Sequence, residues 1–386
     1  MVAFKVLFIA QLLAVYSAAA PQPTSDVDKL ASHALSRLTE YVLHNGSSSA
    51  SCDLNKTQVR REWGSLSRTE KKNFINAVQC LSLKQPITPS DLAPGVRNRY
   101  DDFVATHINQ TLTIHATANF LGWHRYFIRT YEKALQDECG YEGQLPYWSW
   151  GKYALDPVSS PIFDGSDTSL SGDGAYEPYG DLCIPNCETP NYVFPAGNGG
   201  GCVTSGPFTN WTVNLGPVMS TMPGVASNPQ ADGLGYNPRC LRRDINKHVS
   251  SAWTKDNDTA WLIREHNDIG TFQRWMQGVI TSQFFGVHAG GHMTIGGEPG
   301  GDLFASPADP AFYLHHAQID RVWWIWQNQD PARRTHTISG TITIENTPPS
   351  RNGTLDDVID LGVNAPEMRL GDALSTIEGP FCYVYG

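Results

Sequence analysis

The sequence has no basic patch, and no acidic run stands behind its formal charge of −10. Phosphate-rich partners need a concentrated positive surface, so nucleic acid is excluded as a partner. Past the first twenty residues no stretch stays apolar long enough to cross a bilayer, which excludes a membrane-spanning chain. No internal repeat and no clear linker break the 386 residues. Length alone would allow two domains; one large domain is expected.

What is present at the start reads as a secretory signal over residues 1–20. Lys5 is the charged region, Val6 to Tyr16 the apolar core, and Ser17-Ala18-Ala19-Ala20 the small-residue exit, although Pro21 is a poor residue to follow a cut. Residues 21–386 are then the mature, exported domain. Eight cysteines, scattered apart from Cys183 and Cys187, fit disulfides rather than a zinc ribbon. Six Asn-x-Ser/Thr sequons, at Asn45, Asn55, Asn109, Asn210, Asn257 and Asn352, predict N-glycans at some of them.

Val27, Leu30, Ala31, Ala34, Leu35, Leu38 and Val42 recur at threes and fours, predicting an amphipathic helix to Asn45-Gly46 with His33 and His44 on the surface. Ser67 and Glu70 have capping-box spacing and open a second helix through Phe74, Ile75, Val78 and Leu81, stopped by Pro86. A third runs through Tyr100, Phe103, Val104 and His107, with His107 on its buried face. His115 and His124 are nine apart, and at about 100° per residue one straight helix would point them in opposite directions. His115 is therefore expected in a loop, with the next helix starting near Thr117 and His124 sharing a face with Phe120, Phe127 and Tyr131. One inward histidine is ordinarily a hydrogen-bonded core residue. Three within eighteen residues would each need a buried partner, and a three-imidazole metal site explains them better.

Residues 156–239, rich in Gly, Pro, Ser and Asn, are expected to form a long, stapled, irregular excursion. Trp253 to Gln277 returns to helical periodicity, with His248 and His266 as surface residues or neighbours of a ligand. Thr335 to Ile344 alternates like a strand and would place His336, solvated, on a small sheet.

The stretch 284–327 gathers the rest. His288 and His292 are four apart, hence on one helical face able to hold one metal. A Gly-rich turn over 296–301 reverses the chain, and Asp309-Pro310 starts a second helix, Phe312 to Gln327, carrying His315 and His316. Three imidazoles with no thiolate nearby suit Zn, Cu, Fe or Ni rather than Ca or Mg. A hydrolytic metal pair would carry bridging carboxylates, and the only one close by is Asp320, one turn after His316. Redox-active copper is favoured over zinc hydrolysis, in a positive pocket that attracts small anions and ionisable phenols.

At these residues the chain resembles the tyrosinase/catechol oxidase family. His115-x8-His124-Arg125 with Phe120 and Trp123 is similar to the first copper-binding signature. His288-x3-His292, followed by Asp309-Pro-Ala-Phe-Tyr-Leu-His-His316-x3-Asp320-Arg321, is similar to the second. The resemblance extends from the helix over Arg60–Leu83 to the final Tyr383-x-Tyr385-Gly386 and is nearest the short, secreted fungal members.

It implies a mainly α fold: a four-helix bundle holding a dicopper centre, with long irregular loops and a few short strands. His107, His115 and His124 would bind one copper ion and His288, His292 and His316 the second, with His315 and Asp320 beside the ligands. Asp320 would fix a ligand tautomer or helix register, or simply pair with an Arg. Leu303 matches the position that overhangs the substrate in relatives, and Phe312 would form the pocket wall or be plain core. The implied reaction oxidises o-diphenols, and by extension o-aminophenols, to o-quinones while O2 is reduced to water.

Three departures from the family pattern bear on this reading. Thr113 stands where fungal relatives carry a thioether-forming Cys. Phe285 and Ala289 stand where many tyrosinases carry a Glu and an Asn that deprotonate monophenols, so monophenol hydroxylation is expected to be weak. The sequence stops at the Tyr-x-Tyr-Gly mark, so no C-terminal lid is expected. Chain order and resemblance together pair Cys52–Cys80, Cys139–Cys202, Cys183–Cys187 and Cys240–Cys382. Full tyrosinase is the alternative within the enzyme class, a haemocyanin-like O2 binder the alternative outside it, and a copper-free structural relative is disfavoured by six intact histidines.

Overall fold

The computed structural model describes residues 25–45, 52, 57–184, 188, 192–220, 222–279 and 284–386. The expected signal peptide (1–20), Asn55 and Cys187 lie outside them, and so does the pairing Cys183–Cys187. The helices are α1 (Asp26–Asn45), α2 (Arg68–Leu81), α3 (Arg99–Ile114), α4 (Phe120–Cys139), α5 (Lys247–Trp253), α6 (Asp256–Glu265), α7 (Ile269–Gln277), α8 (Gly286–Ile295), α9 (Ala311–Gln327) and α10 (Pro331–Arg334). Among the described residues ten short strands, β1 (Gln58–Arg60), β2 (Gly174–Tyr176), β3 (Leu182–Ile184), β4 (Tyr192–Phe194), β5 (Gly200–Val203), β6 (Thr212–Val213), β7 (Arg239–Cys240), β8 (Val358–Ile359), β9 (Met368–Arg369) and β10 (Tyr383–Tyr385), pair two by two. The chain is thus mainly α, as expected, with small strand pairs in long irregular loops.

Helix α9 is the axis. Every residue in it is buried, the condition of a helix covered on all sides. It packs against α4, α8, α1 and α6, while α3 lies on α4 and α8 on α5 and α7. The local signals that start and stop these helices are those of the sequence. Ser67 and Glu70 form the reciprocal capping box of α2. Asn98 caps α3 by accepting from the Asp101 N–H, and Gly140, in the left-handed region, ends α4. Two boundaries differ from expectation. The helix of His124 begins at Phe120 rather than near Thr117, and residues 247–277 form three helices, each with its own cap residue at Asn246, Lys255 and Asp268.

The disulfides differ more. They join Cys52 to Cys382, Cys80 to Cys139 and Cys202 to Cys240, so the expected pairs Cys52–Cys80, Cys139–Cys202 and Cys240–Cys382 are wrong. The reason is topological. β1 pairs in parallel with β10, Gln58 opposite Tyr383, which brings the segment after Cys52 against the segment after Cys382. Cys80 and Cys139 sit at the last turns of the packed helices α2 and α4.

The expected strand over 335–344 is also absent: Thr341 makes one isolated bridge to Asn352. Its threonines turn their hydroxyls onto nearby carbonyls instead, Thr337 on Arg334 and Thr343 on Pro348, a local alternative to a ladder. His336 is half exposed and faces Glu378 at 3.5 Å. His33, His44 and His248 are exposed, whereas His266 is buried, its Nδ1 bonded to the Leu262 carbonyl at 3.0 Å. The sequons at Asn45, Asn109, Asn210, Asn257 and Asn352 present exposed asparagines.

Candidate metal centre

Two groups of histidines lie at the middle of the bundle. His107 comes from α3, His115 from the turn that ends it, and His124 from α4; their nearest ring nitrogens lie within 4.8 Å of one another. His288, His292, His315 and His316, from α8 and α9, form the second group by the same measure. Neither group contains a carboxylate or a thiolate. Both trios expected from the sequence therefore converge. They also face each other, since the His124 and His316 rings stack at 4.5 Å and those of His115 and His288 lie 6.0 Å apart.

In the first group the proton positions follow from the acceptors. His107 Nδ1 meets the Phe304 carbonyl at 2.7 Å, His115 Nδ1 that of Thr111 at 3.0 Å, and His124 Nδ1 that of Phe120 at 2.7 Å. A carbonyl can only accept, so each Nδ1 carries the hydrogen and each Nε2 presents a lone pair. The Nε2 atoms of His107, His124 and His288 are buried with no hydrogen-bond partner. Buried polar atoms of this kind are rare unless something is to bind them. Burial, reinforced by neighbouring imidazoles, holds His107, His124, His288, His315 and His316 well below the usual histidine range, and burial brings His115 to about 4 and His292 to about 3. Neutral imidazoles with inward lone pairs, those of the first group each steadied by a carbonyl, are what a nitrogen-ligated transition metal requires. The donor set fits copper.

Local backbone explains the aim of the rings. Ala116 adopts φ +49 directly after His115, an uncommon conformation for a residue with a Cβ, and its N–H is held by Gln277 Oε1 at 2.7 Å. This sharp turn lets His115 and His124 point to one place. On α8, Gly290 and Gly291 allow close packing. A Cβ at Gly291 would collide with the His315 ring, and one at Gly290 would lie 2.8 Å from Trp253 Cβ. His316 faces His124, while the His315 ring, 4.5 Å from that of His292, also packs against Trp150 with 5.1 Å between rings.

The remaining sequence candidates divide. Phe312 is buried between the sites, its ring 4.1 Å from His316, 5.3 Å from His107 and 5.7 Å from His292. Ala289 and Leu303 are half-buried, and His292 is the only histidine of the two groups that is not fully buried, so its edge marks the opening. Phe285 packs into a separate cluster with Tyr192 and Phe194, and Ala289 packs against that cluster. Asp320 bonds no histidine: it accepts from Arg125, Arg60, Tyr383 and Tyr385. It fixes no ligand tautomer; the ion pair with an Arg is observed, and it joins α9 to α4. The sequence reading missed Phe304, Gln277 and Asp302. Phe304 acts through its backbone carbonyl, and Gln277 and Asp302 through side-chain oxygens that hold backbone N–H groups, so none leaves a spacing signature.

Comparison with known proteins places this geometry. Residues 97–329 match the common central domain of tyrosinase. Tyrosinase P of Aspergillus terreus is 39% identical over 336 residues, covering 86% of this chain and 93% of that protein. An N-acetyl-6-hydroxytryptophan oxidase of Emericella nidulans is 37% identical over 347 residues, covering 86% and 93%. The solved structure of a variant polyphenol oxidase from Thermothelomyces thermophila superposes with a TM-score of 0.87 at 44% identity, covering 94% of this chain and 98% of that one. The converging imidazoles thus belong to a shared architecture, and the chain is a member of the tyrosinase family, a copper oxidoreductase of the type-3 kind.

Proposed function

We propose that this protein is a secreted oxidase of o-diphenols and o-aminophenols. His107, His115 and His124 hold one copper ion, and His288, His292 and His316 hold a second. Two o-diphenols give two o-quinones as one O2 becomes two waters. The bound metals supply the electron exchange with O2, and the protein's residues do the rest. The observation that carries the reading is the mutual approach of the two histidine groups, His124 stacked on His316 at 4.5 Å.

The Thr111, Phe120 and Phe304 carbonyls hold the Nδ1 protons outward and keep the rings from turning. Burial of the rings excludes water, leaving the exposed edge of His292 as the approach for a flat phenol. Half-buried Leu303 is assigned to this approach by the family resemblance, and buried Phe312 sets the floor between the sites. Neither Ala289 nor Phe285 can take a proton from a phenol, which favours substrates that need no hydroxylation. The names of two relatives, a polyphenol oxidase and an oxidase of a hydroxylated tryptophan, support a phenolic substrate class. The leader-like residues 1–20, the disulfides and the exposed sequon asparagines support export and N-glycosylation.

The test is to load the protein with copper and compare initial rates on a monophenol, its o-diphenol and an o-aminophenol. The o-diphenol and o-aminophenol are expected to turn over fast and the monophenol slowly. Rapid, unprimed turnover of tyrosine or tyramine would favour full tyrosinase. O2 uptake that is reversible and yields little quinone would favour a carrier.

A further inference from the structure

Asp302 lies outside both histidine groups, yet it sits at the root of one of the hydrogen bonds that orient them. Its side chain is buried, 1% exposed, and accepts four backbone N–H groups. Oδ1 takes Phe304 at 2.8 Å and Ala305 at 3.2 Å; Oδ2 takes Val218 at 2.8 Å and Met219 at 2.9 Å. The first pair closes a tight turn over residues 302–305. The second pair ties that turn to the irregular excursion, whose Met219 is exposed. The product of the turn is the position of the Phe304 carbonyl, which meets His107 Nδ1 at 2.7 Å.

We propose that Asp302 is a positioning residue for His107: through the turn it closes, it fixes the carbonyl that sets the tautomer and ring angle of that ligand. A helix could not supply this carbonyl, because His107 lies on α3 and Phe304 is 197 residues away in a loop. His115 and His124 need no such device, since each bonds the carbonyl four residues before it. Of the first trio, only His107 depends on a distant loop. The same loop leans on the second group at Gly300, whose backbone hydrogen-bonds the His292 ring. That end is tied by backbone alone, Asp302 N–H to the Pro299 carbonyl at 2.8 Å, and does not need the Asp302 carboxylate. Loss of the carboxylate should therefore loosen one metal position and spare the other.

The inference rests on the two-copper reading, which the untouched protein checks by its copper content. Copper release from the loaded protein to a copper(I) chelator under ascorbate is followed by absorbance. In Asp302→Ala one equivalent is expected to leave at least tenfold faster than from the native protein, the other within about twofold of the native rate. Asp302→Asn keeps an amide oxygen for the Phe304 and Ala305 amides and is expected to restore the first equivalent to within about threefold. Should Asp302→Ala not fold, Asp302→Gln serves, because the extra methylene carries the acceptors past the turn. Equal acceleration of both equivalents would mean that Asp302 merely stabilises the fold, and unchanged release that the carbonyl needs no help. Either result overturns the proposal. A native protein holding fewer than two equivalents overturns the two-copper reading and this inference with it.

Discussion

Arg125 donates through Nε to Asp320 Oδ1 at 2.6 Å, and both side chains are buried. Arg125 directly follows His124 on α4, and Asp320 lies one turn beyond His316 on α9. This one ion pair therefore cross-braces the two helices whose histidines stack. Asp320 also accepts from Tyr383 and Tyr385, each at 2.6 Å, so the end of the chain is tied into the same brace. Arg60 completes it, bonding Glu132 at 2.7 Å and lying over the Tyr383 ring.

Asp320→Asn should accordingly destabilise the fold strongly. It leaves two buried guanidinium groups facing a neutral amide, and removing one partner of a buried pair costs about 3–5 kcal/mol. Urea denaturation of native and variant protein measures this. A loss below about 1 kcal/mol would mean that Glu132 and the tyrosines satisfy the arginines unaided. The folded variant is expected to keep its copper, because Asp320 touches no histidine.

Gly291→Ala tests the packing behind the second group. The added methyl would enter the space of the His315 ring, which is fully buried and backed by Trp150 and Trp148. Neither ring nor helix can retreat cheaply, and overpacking of this kind costs about 1–3 kcal/mol. A lower melting temperature and weaker copper retention are expected together. A variant as stable and as copper-rich as the native protein would show that α8 can shift.

These two sites also show what the sequence makes legible. The i, i+4 spacing of His288 and His292 and the half-turn between His115 and His124 are properties of helix geometry, so they were readable before any fold was known. The partners of Asp320 were not, because four-residue spacing from His316 describes a helix face and says nothing of Arg60 or Tyr383 arriving from the paired strands β1 and β10. Cys52 and Cys382 meet for the same long-range reason. Phe304 escaped notice because it works through a carbonyl that every residue owns, and Gln277 and Asp302 because their side chains bind backbone N–H groups that any residue could present. The alternating threonines of 335–344 misled in the other direction: a strand pattern needs a partner strand, and their hydroxyls found nearer acceptors.

Asp101 gives the fold a pH dependence of definite sign. It is buried in the first turn of α3, and burial raises its carboxyl to about 6 from 3.8, against the Arg97 N–H and the Asn214 amide that favour the charged form. The folded chain therefore binds this proton more tightly than the unfolded one. The contribution is complete below the unfolded value and is lost as pH rises through about 6. Measured by urea denaturation between pH 4 and pH 7, native protein is expected to lose roughly 1–3 kcal/mol relative to Asp101→Asn. A difference that grows with pH would mean that the hydrogen bonds outweigh burial.

The choice between His315 and His316 as ligand is open to a direct count. Both are fully buried and both fall in the second group, but His316 turns toward His124 whereas His315 is seated against Gly291 and Trp150. His316→Ala is expected to bind one copper per chain, as are His115→Ala and His288→Ala, and His115→Ala/His288→Ala close to none. His315→Ala should still bind two, with a lower melting temperature from the cavity it leaves behind Gly291. Metal analysis of the purified variants decides. If His315→Ala dropped to one copper and His316→Ala kept two, the second ion would be held by His288, His292 and His315, and the His124–His316 contact that carries the facing arrangement would not report its place.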